Sequence, residues 1–186
     1  MTDEEGRFGR RIGAFDARAD RGFEPLRRSR ALACTFRVAS DIGDFSLVWH
    51  VIGLAYGLGI RREPGEVVAF VLLIGAESLL VNQGIKRLFR RRRPTVDGDP
   101  RTRVRVPRTS SFPSGHASSA AFAATLLVVW TGGPWAPLWI AIAAVVAISR
   151  AVVRIHYASD VIAGAITGLA LAQIALLTGA ADALRH

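Results

Sequence analysis

Cysteine and lysine are almost absent from this sequence. The chain has a single cysteine, Cys34, which excludes an internal disulfide and a zinc site built on cysteines. We expect Cys34 to act as a small buried apolar residue. Lys86 is the only lysine among 24 basic side chains, so the other 23 are arginines. This Arg-rich, Ala-rich composition indicates a bacterial genome of high GC content, and it makes Lys86 conspicuous.

A cleavable leader pattern is also lacking. No basic region followed by an apolar region and a small-residue cleavage site stands at the N-terminus, so the basic N-terminal segment is expected to remain. Residues 1–30 hold eight arginines and six acidic residues without a long apolar run. They predict a cytosolic arm with an interfacial helix around Phe15–Leu26. Charged residues interrupt the apolar stretch 31–44, which favours a shallow or in-plane helix over a span.

Apolar residues dominate the rest of the chain. They make up 51% of the 186 residues, and the mean hydropathy is +0.30 although the net charge is +9. This mixture suits helices in lipid with charges in the loops. The apolar segments that predict membrane spans are Phe45–Ile60, Val67–Ile85, Ser114–Thr131, Trp135–Ser149 and Asp160–Gly179.

The fold class predicted from these segments is an all-α polytopic membrane bundle with about five transmembrane helices. Residues 1–44 would form an Arg-rich arm with an interfacial helix, residues 45–180 the transmembrane domain and residues 181–186 a tail. A basic chain can bind nucleic acid, but loop arginines that fix membrane orientation and meet anionic headgroups explain the charge better. We therefore expect membrane lipids, and not nucleic acid, as partners.

The second predicted span is the least apolar of the five. Ser78, Asn82 and Lys86 recur every four residues and so share one face of a helix. Polar residues at membrane depth normally face the bundle interior or a wet cavity. These three either tie helices together or lead into a site whose mouth lies at Lys86, and both can hold.

Three polar clusters stand in loops or at helix ends. The first runs from Lys86 to Arg93-Pro94, the second is Pro113-Ser114-Gly115-His116, and the third is Ser149-Arg150 followed by His156 and Asp160. With five spans, the loops that carry all three clusters lie on one side of the membrane. Their convergence at one depth predicts a single site.

Each cluster offers a distinct kind of chemistry to a phosphate group. Ser114 is a natural N-cap, and a helix start with Gly115 beside it favours an anion. Lys86, Arg93 and Arg150 can surround phosphoryl oxygens with positive charge. A carboxylate at Asp160 can fix the tautomer of His156 and leave the other ring nitrogen free to attack. His116 then remains as a general acid for the leaving oxygen.

The spacing of these residues resembles the type-2 phosphatidic acid phosphatase superfamily across residues 86–160. That pattern is Lys, six residues, Arg-Pro; then Pro-Ser-Gly-His; then Ser-Arg, five residues, His, three residues, Asp. The chain meets it with Lys86, Arg93, Pro94, Pro113, Ser114, Gly115, His116, Ser149, Arg150, His156 and Asp160. The resemblance implies a helical-bundle lipid phosphatase with a phosphohistidine on His156, protonation of the leaving group by His116 and orientation of His156 by Asp160. It also implies phosphate binding by Lys86, Arg93, Ser114, Gly115 and Arg150.

Several polar residues outside this pattern receive no catalytic role. The run Arg90–Arg92 is interpreted as a topology signal that also attracts headgroups. Asp97 and Asp99 form a two-carboxylate loop without histidine, which is more typical of solvated residues than of a metal site. His50 and His186 have no partners in the sequence. No cofactor or metal is expected, because cations and a helix N-terminus already meet the charge of the phosphate.

Two other function classes remain open at this stage. Vanadium-dependent haloperoxidases share the phosphate-binding constellation, but they are soluble and much longer. A non-catalytic phospholipid-binding protein would need neither His116 nor His156. The substrates implied by the resemblance are phosphatidylglycerol phosphate, phosphatidic acid, undecaprenyl diphosphate hydrolysed at an outward-facing site, and a decaprenyl-phosphoryl phosphoribose of cell-wall arabinan synthesis.

The distribution of charge predicts the orientation of the site. Of the 24 basic residues, 21 lie in residues 1–44 and in the two motif loops, and three lie on the opposite side. The positive-inside rule places the N-terminus and the active site in the cytosol, in the inner membrane of a bacterial cell. If residues 31–44 were instead a sixth span, the motif loops would stay together and the N-terminus would lie opposite them.

Overall fold

The computed structural model describes residues 3–95, 104 and 109–185, and within these ranges the chain forms helices and no strand. This part of the chain folds into α1 (Asp3–Arg28), α2 (Arg30–Ile42), α3 (Leu47–Tyr56), α4 (Pro64–Leu79), α5 (Gly115–Thr131), α6 (Ala136–Val152) and α7 (Ala158–Leu177). A π-helical turn extends α3 to Arg61, and π and 3-10 turns extend α4 to Leu88. The predicted all-α class is confirmed.

The five predicted apolar segments are all helical, with ends that shift by three residues or fewer. Within the described ranges, three helices are long and apolar enough to cross a membrane, namely Pro64–Leu88, Gly133–Val152 and Ala158–Leu177. A fourth crossing results if α2 and α3, which meet at 74°, act as one bent span. The number of five is thus not confirmed, because α5 has only 17 residues and α3 is long enough only when it is joined to α2.

Helix α5 forms the centre of the bundle. Eleven of its 17 residues are buried, because α4, α6 and α7 pack around it. A helix that is apolar on all sides is expected in such a position. The outer faces of the surrounding helices carry exposed apolar side chains such as Leu72, Ile140 and Ile166. Lipid, which offers no hydrogen bonds, is the solvent that suits those faces.

Two glycines of α7 set its distance from α5. Gly164 and Gly168 lie one turn apart, and a Cβ atom at either position would collide with the backbone carbonyl of Ser114 or Ser118. Small residues four apart allow two membrane helices to approach this closely. The contact brings the start of α5 beside the start of α7, where the backbone N–H of Ser114 donates to the carbonyl of Asp160 at 3.0 Å.

The N-terminal helices pack against the motif-bearing end of the bundle. Helix α1 contacts α6 and α7, and α2 contacts α6. The guanidinium of Arg27 is buried and donates to the carbonyl of Val152 at the end of α6 (3.4 Å). The buried role expected for Cys34 is wrong, because its side chain is exposed. The buried face of α2 contains Ala33, and the next residue along a helix points about 100° away.

Candidate active site

The three motif clusters meet at one cavity of about 890 Å³ between the ends of the helices. Among the residues that line it, the predicted site residues are Lys86, Arg93, Gly115, His116, Arg150 and His156. The two remaining predicted residues, Ser114 and Asp160, are fully buried behind this lining. The sequence motifs are therefore assembled into one site, in which Ser114 and Asp160 support the residues that face the cavity.

His156 lies between Arg93 on one side and Asp160 on the other. Its Nε2 atom is 3.1 Å from Nη1 of Arg93. Because a guanidinium can only donate hydrogen bonds, Nε2 is the acceptor and the ring proton is on Nδ1. The closest approach of Nδ1 to the carboxylate of Asp160 is 3.8 Å, which is too long for a direct hydrogen bond.

Ser111 fills the gap between the two, and sequence reasoning missed it. Its hydroxyl donates to Oδ2 of Asp160 at 2.6 Å, and its Oγ lies 3.4 Å from Nδ1 of His156. The serine oxygen can thus accept a hydrogen bond from Nδ1–H of His156 while its hydroxyl donates one to the carboxylate of Asp160. No spacing rule distinguishes Ser111 from the neighbouring Ser110 in the sequence, so only the fold reveals this link.

Burial keeps His156 in its neutral form. It lowers the pKa of His156 to about 3; the carboxylate of Asp160 opposes this shift, whereas Arg93 and the other cations of the cavity add to it. A pKa this low leaves the imidazole unprotonated at physiological pH. An unprotonated ring nitrogen is the state that can attack phosphorus.

Positive charge in the cavity exceeds the nearby negative charge. Lys86 and Arg150 are 8% and 2% exposed, which is unusual for side chains that carry a charge. The carboxylate of Asp44 lies 3.8 Å from Nη1 of Arg150. The Nε atom of Arg150 is buried and has no hydrogen-bond partner in the same part of the chain. Such a site favours a bound anion, because buried charges need compensation.

The start of α5 borders this positive region. Ser114 is the N-cap, and its hydroxyl accepts from the backbone N–H of Ala117, as expected from the sequence. A Cβ atom on Gly115 would lie 2.6 Å from Oδ1 of Asn82 and 3.2 Å from Nζ of Lys86. A residue without a side chain is therefore required where α4 and α5 meet. The N-terminus of a helix at this position adds its partial positive charge to the cavity.

The polar face of α4 behaves as its periodicity suggested. Ser78, Asn82 and Lys86 all line the cavity, and the side-chain amide of Asn82 donates to Ser78. Glu77, on the other hand, is buried and accepts hydrogen bonds from the hydroxyls of Ser118 and Ser119. The same helix thus lines the site with one face and ties itself to α5 with another.

His116 has a carboxylate partner that the sequence motifs do not include. Its Nε2 atom lies 2.8 Å from Oδ1 of Asp44, in the connection between α2 and α3. Asp44 and His50, which had no assigned role, also line the cavity. The site is therefore built by α2 and α3 as well as by the three motif clusters.

Arg91 links the N-terminal arm to the carboxylate of Asp160, which corrects its interpretation as a topology signal alone. Its Nη1 atom donates to Oδ1 of Asp160 and its Nη2 atom to Oδ2 of Asp16 in α1, both at 2.6 Å. Asp16 also accepts from the backbone N–H and the hydroxyl of Ser159. In a run of four arginines nothing marks this one, because its role depends on helix packing.

Replacement of Arg91 by alanine is expected to lower kcat by about 10- to 100-fold. The change removes a charge-assisted hydrogen bond, for which about 1.5–3 kcal/mol is typical, from Asp160, the carboxylate that is expected to orient His156. Steady-state kinetics on purified protein would measure the loss. The matched control is Arg92→Ala, because Arg92 is exposed in the same run. An equal effect of both variants would contradict this role of Arg91.

Metal ligands are not clustered in the described part of the chain. No group of three or more His, Cys, Asp or Glu side chains there is arranged to hold a metal ion. Asp97, Asp99 and His186 lie outside the described residues.

Comparisons with known proteins agree with this geometry. The family model described as the PAP2 superfamily matches residues 66–181. A decaprenylphosphoryl-5-phosphoribose phosphatase of Mycolicibacterium smegmatis is 35% identical over 131 residues, which is 69% of this chain and 68% of that protein. The protein of the same name from Mycobacterium tuberculosis is 34% identical over 146 residues, or 77% of this chain and 78% of the relative.

A solved structure shares the fold. The crystal structure of a transmembrane PAP2-type phosphatidylglycerolphosphate phosphatase from Bacillus subtilis superposes with a TM-score of 0.66 and 24% identity. The match covers 88% of this chain and 85% of that one. The three motif clusters, the shared fold and the family match over most of the chain lead to one conclusion: the protein belongs to the PAP2 superfamily and is a membrane lipid phosphatase.

Proposed function

We propose that the chain removes the terminal phosphate of a polyprenyl-phosphoryl phosphoribose, with His156 as the nucleophile. The observation that carries this proposal is the cavity in which His156 and His116 border a cluster of three cations. A phosphoryl group bound to Lys86, Arg93 and Arg150 would have one histidine available for attack and another for the leaving oxygen. This arrangement fits phosphoryl transfer better than lipid binding alone.

The reaction divides into two steps that return the enzyme to its starting state. Nε2 of His156 attacks phosphorus as the P–O bond to the sugar breaks, and His116 gives its proton to the departing oxygen. Water then attacks the phosphohistidine while His116, now neutral, takes a proton from it. Phosphate leaves, His156 is free again and His116 is protonated.

Electrostatic stabilisation is supplied by the protein itself. The oxygens of the phosphoryl group gain charge-assisted hydrogen bonds from two guanidinium groups and one ammonium group. The N-terminus of α5 faces the same position with its partial positive charge. In the structure, Nη1 of Arg93 donates a hydrogen bond to Nε2 of His156 at 3.1 Å. When phosphate binds, the guanidinium would turn toward its oxygens, and Nε2 would become free to attack.

The substrate class rests on the shape and polarity of the cavity together with the two mycobacterial relatives. Its volume of about 890 Å³ exceeds what a phosphate group needs, and its lining includes polar side chains besides the cations. Ser78, Asn82 and Gln83 are among these uncharged polar residues. Hydroxyl groups of a ribose would find hydrogen-bond partners there, whereas two acyl chains would not.

Phosphate release from purified protein tests this function. We expect turnover of a polyprenyl-phosphoryl phosphoribose in excess EDTA, inhibition by vanadate as a mimic of the five-coordinate transition state, and slower turnover of phosphatidylglycerol phosphate and phosphatidic acid. Equal or faster hydrolysis of these two phospholipids would contradict the substrate assignment. Loss of all activity in EDTA, restored by magnesium, would contradict the metal-free mechanism.

We further propose that the active site faces the cytosol of a bacterial inner membrane. Support comes from the packing of α1, which is on the same side as the motif loops because Asp16 contacts Arg91 and Ser159. The arginines of residues 1–44 and those of the motif loops therefore lie on the same side of the membrane. The positive-inside rule assigns the side with more basic residues to the cytosol. A cytosolic site suits a phosphorylated sugar lipid that is made in the cytosol.

Thiol labelling of intact cells tests this orientation. Gly9 in α1 and Gly133 between α5 and α6 are exposed and have no atoms within 4 Å of an added Cβ, so both accept cysteine. Cys34 is exposed and is first replaced by serine. A membrane-impermeant reagent is expected to label Gly133→Cys in intact cells and Gly9→Cys only after permeabilisation. The reverse pattern would favour undecaprenyl diphosphate hydrolysed at an outward-facing site.

A further inference from the structure

A carboxylate is unexpected in a cavity that must attract a phosphate. Of the described residues that line the cavity, Asp44 is the only one with a carboxylate. Its side chain is 42% exposed, so it is open to the space that the substrate would enter. Negative charge at this place would repel the substrate unless it serves another group of the site.

That group is His116. Oδ1 of Asp44 lies 2.8 Å from Nε2 of His116, a distance typical of a charge-assisted hydrogen bond. The backbone also approaches the ring closely, since a Cβ atom on Gly43 would lie only 2.8 Å from Cδ2 of His116. The sequence Gly43-Asp44 thus brings a backbone without a side chain against the ring, and a carboxylate against its nitrogen.

We propose that Asp44 is the positioning residue of the general acid: it holds the Nε2 proton of His116 and stabilises the protonated ring, so that Nδ1 delivers the proton to the leaving oxygen. This inference rests on the proposed role of His116. After the transfer, Nε2 of His116 keeps its proton and its hydrogen bond to Asp44. The lone pair of Nδ1 then accepts a proton from the attacking water. Protons balance over the cycle, because Asp44 stays ionised throughout.

The surroundings of His116 make such a partner necessary. The cations of the cavity are Lys86 at the end of α4, Arg93 in the following loop and Arg150 on α6, and all three disfavour a protonated ring. The nearby histidines, His50 on α3 and His156, supply no negative charge. Glu77 on α4 is already bonded to Ser118 and Ser119. Asp44 is the group in contact with His116 that favours its protonated form.

Asp44 stands outside residues 66–181, the part of the chain that the family model matches. It belongs to the break between α2 and α3. Ser40, in the last turn of α2, accepts hydrogen bonds from Arg150 through its carbonyl and its hydroxyl. The end of α2 and the break after it therefore contact both Arg150, a proposed phosphate ligand, and His116, the proposed general acid. This gives the N-terminal helices a part in the chemistry of the site.

Two substrates with different leaving groups test the proposal. An alkyl lipid phosphate needs protonation of its leaving oxygen, whereas an aryl phosphate such as p-nitrophenyl phosphate does not. In Asp44→Asn we expect kcat for the alkyl substrate to fall on the order of 100-fold. The rate constant for release of p-nitrophenol in the first turnover, which needs no general acid, should stay within about threefold of the wild type. For the alkyl substrate, the pH at which kcat/KM declines on the alkaline side should fall by about one pH unit or more, because the variant lacks the negative charge that favours protonated His116.

Three further variants complete the test. Asp41→Asn is the matched control, because Asp41 is half-exposed on α2 and pairs with Arg37. It is expected to act as the wild type does. Asp44→Glu should recover part of the lost rate, and Asp44→Asn should add no further loss in a His116→Ala background, since the two residues act as a unit.

A spectroscopic measurement on the wild type avoids any folding defect of the variants. Nitrogen-15 shifts of labelled histidine in detergent are expected to show His116 with a proton on Nε2. A neutral His116 with its proton on Nδ1 would overturn the proposal, as would an equal loss on both substrates with an unmoved alkaline limb. A wild-type protein that released phosphate from neither substrate would contradict the proposed function, and the role of Asp44 with it.

Discussion

Replacement of His156 by alanine is expected to abolish turnover of alkyl and aryl phosphates alike. The loss should be at least the 10²- to 10⁴-fold typical of a positioned catalytic group, because no covalent intermediate can form without a nucleophile. The cations of the cavity remain in this variant, so inorganic phosphate and vanadate should still bind. Phosphate release and vanadate protection, measured on the same purified sample, separate loss of chemistry from loss of folding.

The matched control for this variant is His50→Ala. His50 lines the same cavity, but its Nδ1 atom is 2.9 Å from the carbonyl of Ser46 and it has no part in the proposed chemistry. Its replacement is expected to change kcat by less than about tenfold. Near-wild-type turnover by His156→Ala would exclude His156 as the nucleophile.

Replacement of His116 by alanine is expected to have a second large effect that depends on the substrate. For an alkyl lipid phosphate, kcat should fall about 10²- to 10⁴-fold, because the departing oxygen would leave without a proton. For an aryl phosphate, formation of the phosphohistidine should stay fast while its hydrolysis slows, since His116 also activates the water. A burst of p-nitrophenol followed by a slow steady state is the expected time course.

Stopped-flow absorbance measures that burst directly. Its amplitude should approach one equivalent of product for each active site. Uniform slowing of both substrates without a burst would argue that His116 binds the phosphate and does not move protons. The Asp44→Asn variant is a useful comparison, because it keeps a neutral His116 that can still act as a base.

The motif residues could be predicted because their chemistry depends on residue type and spacing. They meet at one cavity because the helix ends and loops that carry them lie at the same end of the bundle. The apolar segments were equally legible, since a run of apolar residues long enough for a helix shows directly in the sequence. The number of membrane crossings was harder to predict from the sequence, because α5 is short and the span from α2 to α3 is bent by 74°.

The supporting residues could not be predicted because packing alone defines them. Arg91 differs from Arg90 and Arg92 only in pointing toward Asp16 and Asp160. Ser111 enters the site through the turn before α5, and no periodic pattern extends into that turn.

The same limit applies to α2 and the break after it. Asp44 ends the predicted arm of residues 1–44, and the break that follows α2 places it against His116. Cys34 was expected to be buried on the basis of composition, although burial on an amphipathic helix depends on which face meets the bundle. Assignments of this kind require knowledge of how α2 docks on α6.

Trapping of the covalent intermediate tests the central claim most directly. His116→Ala protein mixed with an aryl phosphate and quenched in alkali should carry one phosphate, stable in base and labile in acid, on the peptide that contains His156. Mass spectrometry of that peptide identifies the modified residue. We expect phosphohistidine at position 156 and none in the His116→Ala, His156→Ala double variant. A phosphate found on another residue, or turnover of the substrate with no phosphoenzyme, would contradict it.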